Sequence, residues 1–273
     1  MKHKVIISDY SNYTPKRRES LASSRIREFL DNYYLENQLK IESTLQGFLE
    51  FKEQLCQIRR DCIPNRPQAP NWINGWLPGA DALSLYGYTA MKNPRHYVEI
   101  GSGNSTKFVR QAIKDHDLKT RIISIDPCPR AEIDAICDEV VRAPLEDLET
   151  DFFSILEEGD VFFIDNSHRS FQNSDVTVFF TEILPTLRAG ITIGIHDIYL
   201  PFDYPNEWAD RFYNEQYLLC CYLLGGMKGL EIELPLVYLY YCTESMQLLN
   251  DLWTDERMEG VERHGAAFWL RTV

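Results

Sequence analysis

YVEIGSGNSTKF, residues 97–108, is the stretch from which the rest of the chain can be read. An apolar run ends at Gly101, a second glycine follows at 103, and TKFVRQAI then carries helical spacing. Gly101 and Gly103 permit a tight turn and close backbone approach, and the helix behind them presents unpaired N–H groups. A full dinucleotide fingerprint would place a third glycine at position 106, where Thr106 stands. Glu99, two residues before Gly101, is an acidic group at a strand end. Such a carboxylate repels a pyrophosphate and suits a ligand with an ammonium group.

Outward from this unit the pattern repeats. RIISID (121–126), VFFID (161–165) and ITIGIHD (191–197) are short continuous apolar runs, with a weaker DEVVRA (138–143) between the first two. Helical stretches such as VTVFFTEIL separate them. Continuous strands spaced by helices predict a mostly parallel sheet covered on both faces. Each run ends in small or polar residues, and open α/β sheets bind ligands at the carboxyl ends of their strands. Gly101, Asp126, Asp165 and His196–Asp197 therefore belong to one rim, with Asp126 placed to accept hydrogen bonds from ribose hydroxyls.

The flanks follow. Residues 1–18 read as a loose polar arm, and 21–62 is helical, with Ile41, Leu45, Phe48, Leu49, Leu55 and Ile58 at three- and four-residue steps. PNRPQAPNW (64–72) ends that helix, because its three prolines cannot continue it. A short helix is expected near 80–91. The chain thus divides into an N-terminal arm and helical extension, 1–92, and a domain over 93–273. Phe212, Leu219, Tyr222 and Leu223 predict a helix over 212–224 that buries Cys220 and Cys221. LEIEL (230–234), a helix around SMQLLNDLW, and GAAFWLRTV (265–273) complete the chain.

Of the 273 residues, 44% are hydrophobic and 25% charged, which suits a globular core. The net charge of −13 argues against a nucleic-acid or anionic-membrane partner. The 7 cysteines include no CxxC spacing, so neither a disulfide scaffold nor a zinc site is favoured. No stretch approaches the ~20 apolar residues of a membrane span, and the N-terminus lacks a signal-like apolar core. A cytoplasmic location is expected.

Acid–x–Gly–x–Gly followed by an acidic end of the second strand resembles class I S-adenosylmethionine-dependent methyltransferases. That resemblance implies an α/β, seven-stranded Rossmann-like sheet, mostly parallel with the last strand antiparallel and inserted near an edge. It also implies S-adenosyl-L-methionine as cofactor. Glu99 would then face the methionine amino end, Gly101, Ser102, Gly103 and Ser105 would form the cradle, and Asp126 would hold the ribose. APLEDL (143–148), with Pro144, would border the adenine, and Asp165 would hold the cofactor or His168.

The D-x-x-H of Asp165 and His168, with a polar pair on the next strand end, resembles metal-dependent macrolide-sugar O-methyltransferases. In that pattern His168 is the general base, and Asp165 with Asp197 and His196 holds Mg2+. The later pair is His–Asp here, in place of Glu–Asp or Asp–Asn, which softens the site and lowers its charge. Histidine suits the base role, since a hydroxyl must lose its proton as it attacks the sulfonium methyl. HDI-x-LPFDYP resembles a group of bacterial methyltransferases often seen near sugar and surface-polysaccharide genes. Phe202, Tyr204 and Trp208 are placed to stack on a ring. The implied partner is a small, sugar-like acceptor, with the N-terminal helices covering the cofactor, lining the acceptor pocket or pairing two copies of the chain. The competing functions are a nicotinamide-dependent oxidoreductase, disfavoured by Glu99 and the missing third glycine, and a cofactor-binding partner protein without catalysis.

Overall fold

The computed structural model describes residues 15–129 and 131–273, so most of the arm expected over 1–18 lies outside the described residues. The chain opens with α1 (Arg25–Phe48), whose buried Ile26, Leu30, Ile41, Leu45 and Phe48 share one face. Next come α2 (Lys52–Gln57) and α3 (Gly79–Lys92). The alternating part runs β1 (His96–Ile100), α4 (Asn104–Asp115), β2 (Arg121–Ile125), β3 (Glu139–Val141), β4 (Val161–Ile164), α5 (Asp175–Val178) and β5 (Thr192–Ile195). It ends with α6 (Glu215–Leu224), β6 (Leu230–Pro235), α7 (Leu236–Cys242), α8 (Asn250–Trp253) and β7 (Phe268–Thr272).

The strands form one sheet in the order β3-β2-β1-β4-β5-β7-β6. β1 through β5 are parallel, and β7 runs antiparallel between β5 and β6. This is the seven-stranded, mostly parallel sheet that the resemblance implied, with the last strand inserted next to the edge. The order reverses between β1 and β4, where successive crossovers diverge and leave a crevice.

Rim residues sit one step beyond each strand and are still held by the ladder. Gly101 N–H donates to Ile125 O (3.0 Å), Asp165 N–H to Ile100 O (2.8 Å) and His196 N–H to Ile164 O (2.9 Å). Their side chains therefore rise from rigid backbone.

One apolar core runs from Ile26 and Leu30 of α1 to Leu270 of β7. Trp269 of β7 is its hub, with its ring 4.6 Å from Tyr88 of α3 and 5.6 Å from Phe163 of β4. The helices before the sheet thus share its core.

Three local expectations are corrected. α6 begins at Glu215, so Phe212 lies outside it and is 37% exposed. Cys221 is exposed as well, because the helix turns it away from Leu219 and Leu223, which carry the core face. The segment VTVFFTEIL is α-helical only over Asp175–Val178 and then widens into a π turn over Phe179–Ile183.

Candidate active site

A cleft of about 570 Å³ opens at the β1/β4 crevice and is lined by the carboxyl ends of β1, β2, β4 and β5. Gly101 explains how the strands come so close there. Its φ is +76°, and a Cβ on it would lie 1.8 Å from the Asp165 carbonyl oxygen. Only glycine permits that conformation and that approach. Gly103 is different, because a Cβ there would meet nothing within 4 Å. It lines the cleft in open space, where a ligand can come against the backbone at the start of α4.

Asp126 also lines the cleft, held by two backbone donors, Ser102 N–H (2.9 Å) and Cys128 N–H (2.7 Å). Each oxygen keeps a free lone pair, so the carboxylate is a fixed double acceptor. Pro144 lines the same end, as does Ser102, whose hydroxyl is bonded to that of Ser124 (2.7 Å).

Glu99 and Ser105 stand elsewhere. Glu99 is fully buried and is not among the residues that line the cleft. Its carboxyl accepts hydrogen bonds from the Tyr97 hydroxyl (2.9 Å) and from Thr106, and burial pushes it up to about 7. Ser105 is buried beside it. A direct approach of Glu99 to the cofactor's amino end is therefore corrected, because β1 turns this side chain beneath the glycine loop. Thr106, at the position of the missing third glycine, accepts from Gly103 N–H (3.1 Å) while donating to Glu99. Glu99 braces the turn through Thr106.

The other end of the cleft is ionic. Asp165, His168, His196 and Asp197 all line it. Asp165 Oδ1 lies 3.2 Å from His168 Nε2 and 3.4 Å from His196 Nδ1. Asp197 approaches the same nitrogens at 3.5 and 3.6 Å. Each histidine has a further carboxylate behind it: Glu215 Oε2 is 2.9 Å from His168 Nδ1, and Asp81 Oδ2 is 3.0 Å from His196 Nε2. Asp81 also accepts from the N–H groups of Ala266 and Ala267, and Glu215 from Asn166 Nδ2 (3.2 Å). Asp165, His168 and Asp197 each bring one ligand atom, all within 4.8 Å of one another, a donor set able to take a cation.

The electrostatics follow from this crowding. Burial alone would raise the Asp165 carboxyl, but the His196 and His168 imidazoles outweigh it and hold it well below the usual carboxylate range. Burial would lower His168, yet its bonds to Asp165 and Glu215 carry it well above the ordinary imidazole value. Asp197 is pushed up, chiefly by burial. His168 (φ +58°) and Asp197 (φ +54°) both adopt the left-handed conformation, uncommon outside glycine.

Asp81 and Glu215 had no signal in the sequence, since each lies 47 or more residues from its histidine. Trp76, Arg211 and Tyr213 also line the cleft without having been foreseen. Phe202, Tyr204 and Trp208, expected to stack on the acceptor, do not line this cleft, a correction to that expectation. Phe202 packs on Tyr241 (5.7 Å), while Tyr204 and Trp208 pack against Tyr213, which rests on His168 at 4.6 Å. The loop supports the site from behind, because its rings find more apolar surface in one another than at the rim.

Residues 98–198, the span from β1 to just past β5, match a family model described as a methyltransferase domain. Those residues carry the glycine turn and the rim of the cleft, on a sheet with the strand order of a Rossmann-like methyltransferase fold. No curated protein matches the chain significantly. Among solved structures, the chain is similar to an S-adenosylhomocysteine-bound methyltransferase of Podospora anserina, at 14% identity over 83% of this chain and 88% of that one, with a TM-score of 0.43. It is also similar to an O-methyltransferase of Bacillus cereus in complex with S-adenosylhomocysteine (16%, 91% and 99%, TM-score 0.40). A third is TomG of Streptomyces achromogenes, involved in tomaymycin synthesis (14%, 92% and 99%, TM-score 0.39). Likenesses this coarse carry no weight of their own. Among the described residues, no helix is long and apolar enough to cross a membrane.

Proposed function

We propose that the protein transfers the methyl group of S-adenosylmethionine to a hydroxyl of a small, sugar-like acceptor. One observation supports this most directly: a fixed nucleoside-type acceptor, Asp126, and an ionic proton-handling cluster share a single cleft. Asp126 takes the ribose hydroxyls, Pro144 borders the base, and the open backbone at Gly103 leaves room for the amino-acid end. The N-terminus of α4 favours the carboxylate of that end.

The cofactor supplies an activated methyl, so the chain's work is alignment and proton removal. The acceptor oxygen forms a bond to the methyl carbon as the carbon–sulfur bond breaks, leaving S-adenosylhomocysteine and a methyl ether. The hydroxyl proton passes to the cluster. His168 is engaged by carboxylates on both ring nitrogens, and its bonds to Asp165 and Glu215 favour its charged form. Asp197, pushed up by burial, is the better acceptor of the incoming proton, with His168 and His196 fixing its position.

Binding of the product tests the reading. At a concentration of S-adenosylhomocysteine ~100 times its Kd, folding should be stabilised by about 2.7 kcal/mol in thermal unfolding. NAD at the same concentration should do nothing. Stabilisation by NAD and not by S-adenosylhomocysteine would turn the assignment toward hydride transfer.

A further inference from the structure

Among the described residues, one cation on the wall of the cleft has no counter-ion. Arg211 ends the short 3-10 helix Asn206–Arg211 and lines the cleft together with Tyr213. Tyr213 rests on the His168 ring at 4.6 Å, and the guanidinium carbon of Arg211 lies 5.6 Å from the Tyr213 ring, so Arg211 stands at the ionic end. Among the described residues no carboxylate comes within ion-pairing distance of it, and its side chain makes no hydrogen bond. It is nevertheless held in place. Its guanidinium carbon lies 4.1 Å from the centre of the Trp208 ring, and its carbonyl accepts from Arg169 Nε (2.7 Å). A guanidinium stacked on an indole keeps its five N–H donors in one plane, facing outward.

We infer that Arg211 selects the acceptor, by binding a carboxylate or phosphate group on the molecule whose hydroxyl is methylated. The inference rests on the methyl-transfer reading for the role of that molecule. The planar fork of an arginine matches two oxygens of such a group, and the stack on Trp208 has already restricted the side chain. The carboxylate of the cofactor has its own place at the start of α4 beside Gly103, so the anion that Arg211 meets belongs to the second substrate. Arg169, 5.4 Å from the Tyr213 ring, adds a second positive charge to this wall. Asp165 and Asp197 line the same cleft, but each faces two imidazoles. With a net charge of −13 the molecule as a whole repels anions, so preference for one must come from a local contact.

The acceptor class narrows accordingly. It is an acidic sugar, a hydroxylated ring bearing a carboxylate or a phosphate. Its reacting hydroxyl meets Asp197 while its anionic group meets Arg211, on the other side of Tyr213 from His168. The aromatic loop thereby gains a task. Trp208 does not line the cleft, yet it carries the guanidinium that does.

Calorimetric titration of the full chain, saturated with S-adenosylhomocysteine to fill the cofactor end, provides the test. The probes are D-glucuronate, D-glucose 6-phosphate and neutral D-glucose. At least one of the two anionic sugars should bind about tenfold or more tightly than D-glucose. Arg211→Gln should remove that preference, weakening the anionic sugar about 10–100-fold and D-glucose less than about twofold. Arg211→Lys, a point charge without the fork, should fall between parent and Arg211→Gln. Glucuronate ahead of glucose 6-phosphate identifies a carboxylate and the reverse order a phosphate, and either supports the inference. Equal binding of neutral and anionic sugars, a preference that survives Arg211→Gln, or no binding of either anion would overturn it. Circular dichroism and urea midpoints identify any variant that fails to fold. Trp208→Leu then serves as a second variant, since it removes the platform and keeps the cation, and it should weaken the anionic sugar about two- to fivefold. S-adenosylhomocysteine titrated alone tests the methyl-transfer reading. If it does not bind, the sugars are titrated into the free chain, and an Arg211-dependent preference there would leave the anion site standing without that reading.

Discussion

The two ends of the cleft are built on different plans. The cofactor end is mostly backbone: a left-handed Gly101, an open Gly103, and one carboxylate, Asp126, clamped by two N–H groups. The far end is almost all side chain, with two histidines among four carboxylates. A turn can be fixed by residues two or three positions apart. A cluster of buried charges needs partners from every side, because each unpaired group costs several kcal/mol. Hence the first end is local in sequence, while the second draws on α3, β4, β5 and α6.

Gly101→Ala strikes the point where the two ends meet. The added Cβ falls on the Asp165 carbonyl oxygen, and the left-handed φ disfavours any side chain. Urea unfolding should show a loss of about 3–5 kcal/mol. A loss below ~1 kcal/mol would mean the strands are not so tightly apposed.

Asp126→Ala should separate the ends. Affinity for S-adenosylhomocysteine, read by titration calorimetry, should fall about 10–100-fold, consistent with lost bonds to a charged acceptor. Methyl-transfer turnover at saturating cofactor should be nearly unchanged, and a comparable loss there in a folded variant would show the two ends to be one coupled unit.

Glu215→Gln probes the opposite case. It should lower methyl-transfer turnover about tenfold through the orientation of His168, while S-adenosylhomocysteine affinity holds steady. Equal losses in turnover and product affinity would assign Glu215 to general stability.

Glu99→Gln has the smallest effect, and it is one of pH. The folded-state value of Glu99, about 7, lies above its ordinary 4.5. Its contribution to stability is therefore complete below pH 4.5 and is lost as pH rises through about 7. The difference in urea midpoint between variant and parent should shift in favour of the variant across that window. A pH-independent difference would show that Glu99 keeps its ordinary value.

The contrast also explains what could be read in advance. The continuous apolar runs YVEI, RIIS, VFFI and ITIGI placed the parallel strands, because residues buried on both faces show no alternation. Their polar ends placed Asp126, Asp165, His168, His196 and Asp197 on one rim, and all five line the cleft. Glu99 misled, since strand periodicity does not say which face a residue takes at the last step before a turn. The aromatic loop misled for a related reason: its rings pack on one another and on Tyr213.

By itself, then, the amino-acid sequence determined the sheet, its rim and the glycine turn, all governed by neighbours a few residues apart. Tertiary structure alone decided that Asp81 and Glu215 stand behind the histidines, that Thr106 locks Glu99 beneath the turn, and that Trp76 reaches the cleft from the connector between α2 and α3. Those depend on contacts across dozens of residues, which only the packing of one shared core can bring together.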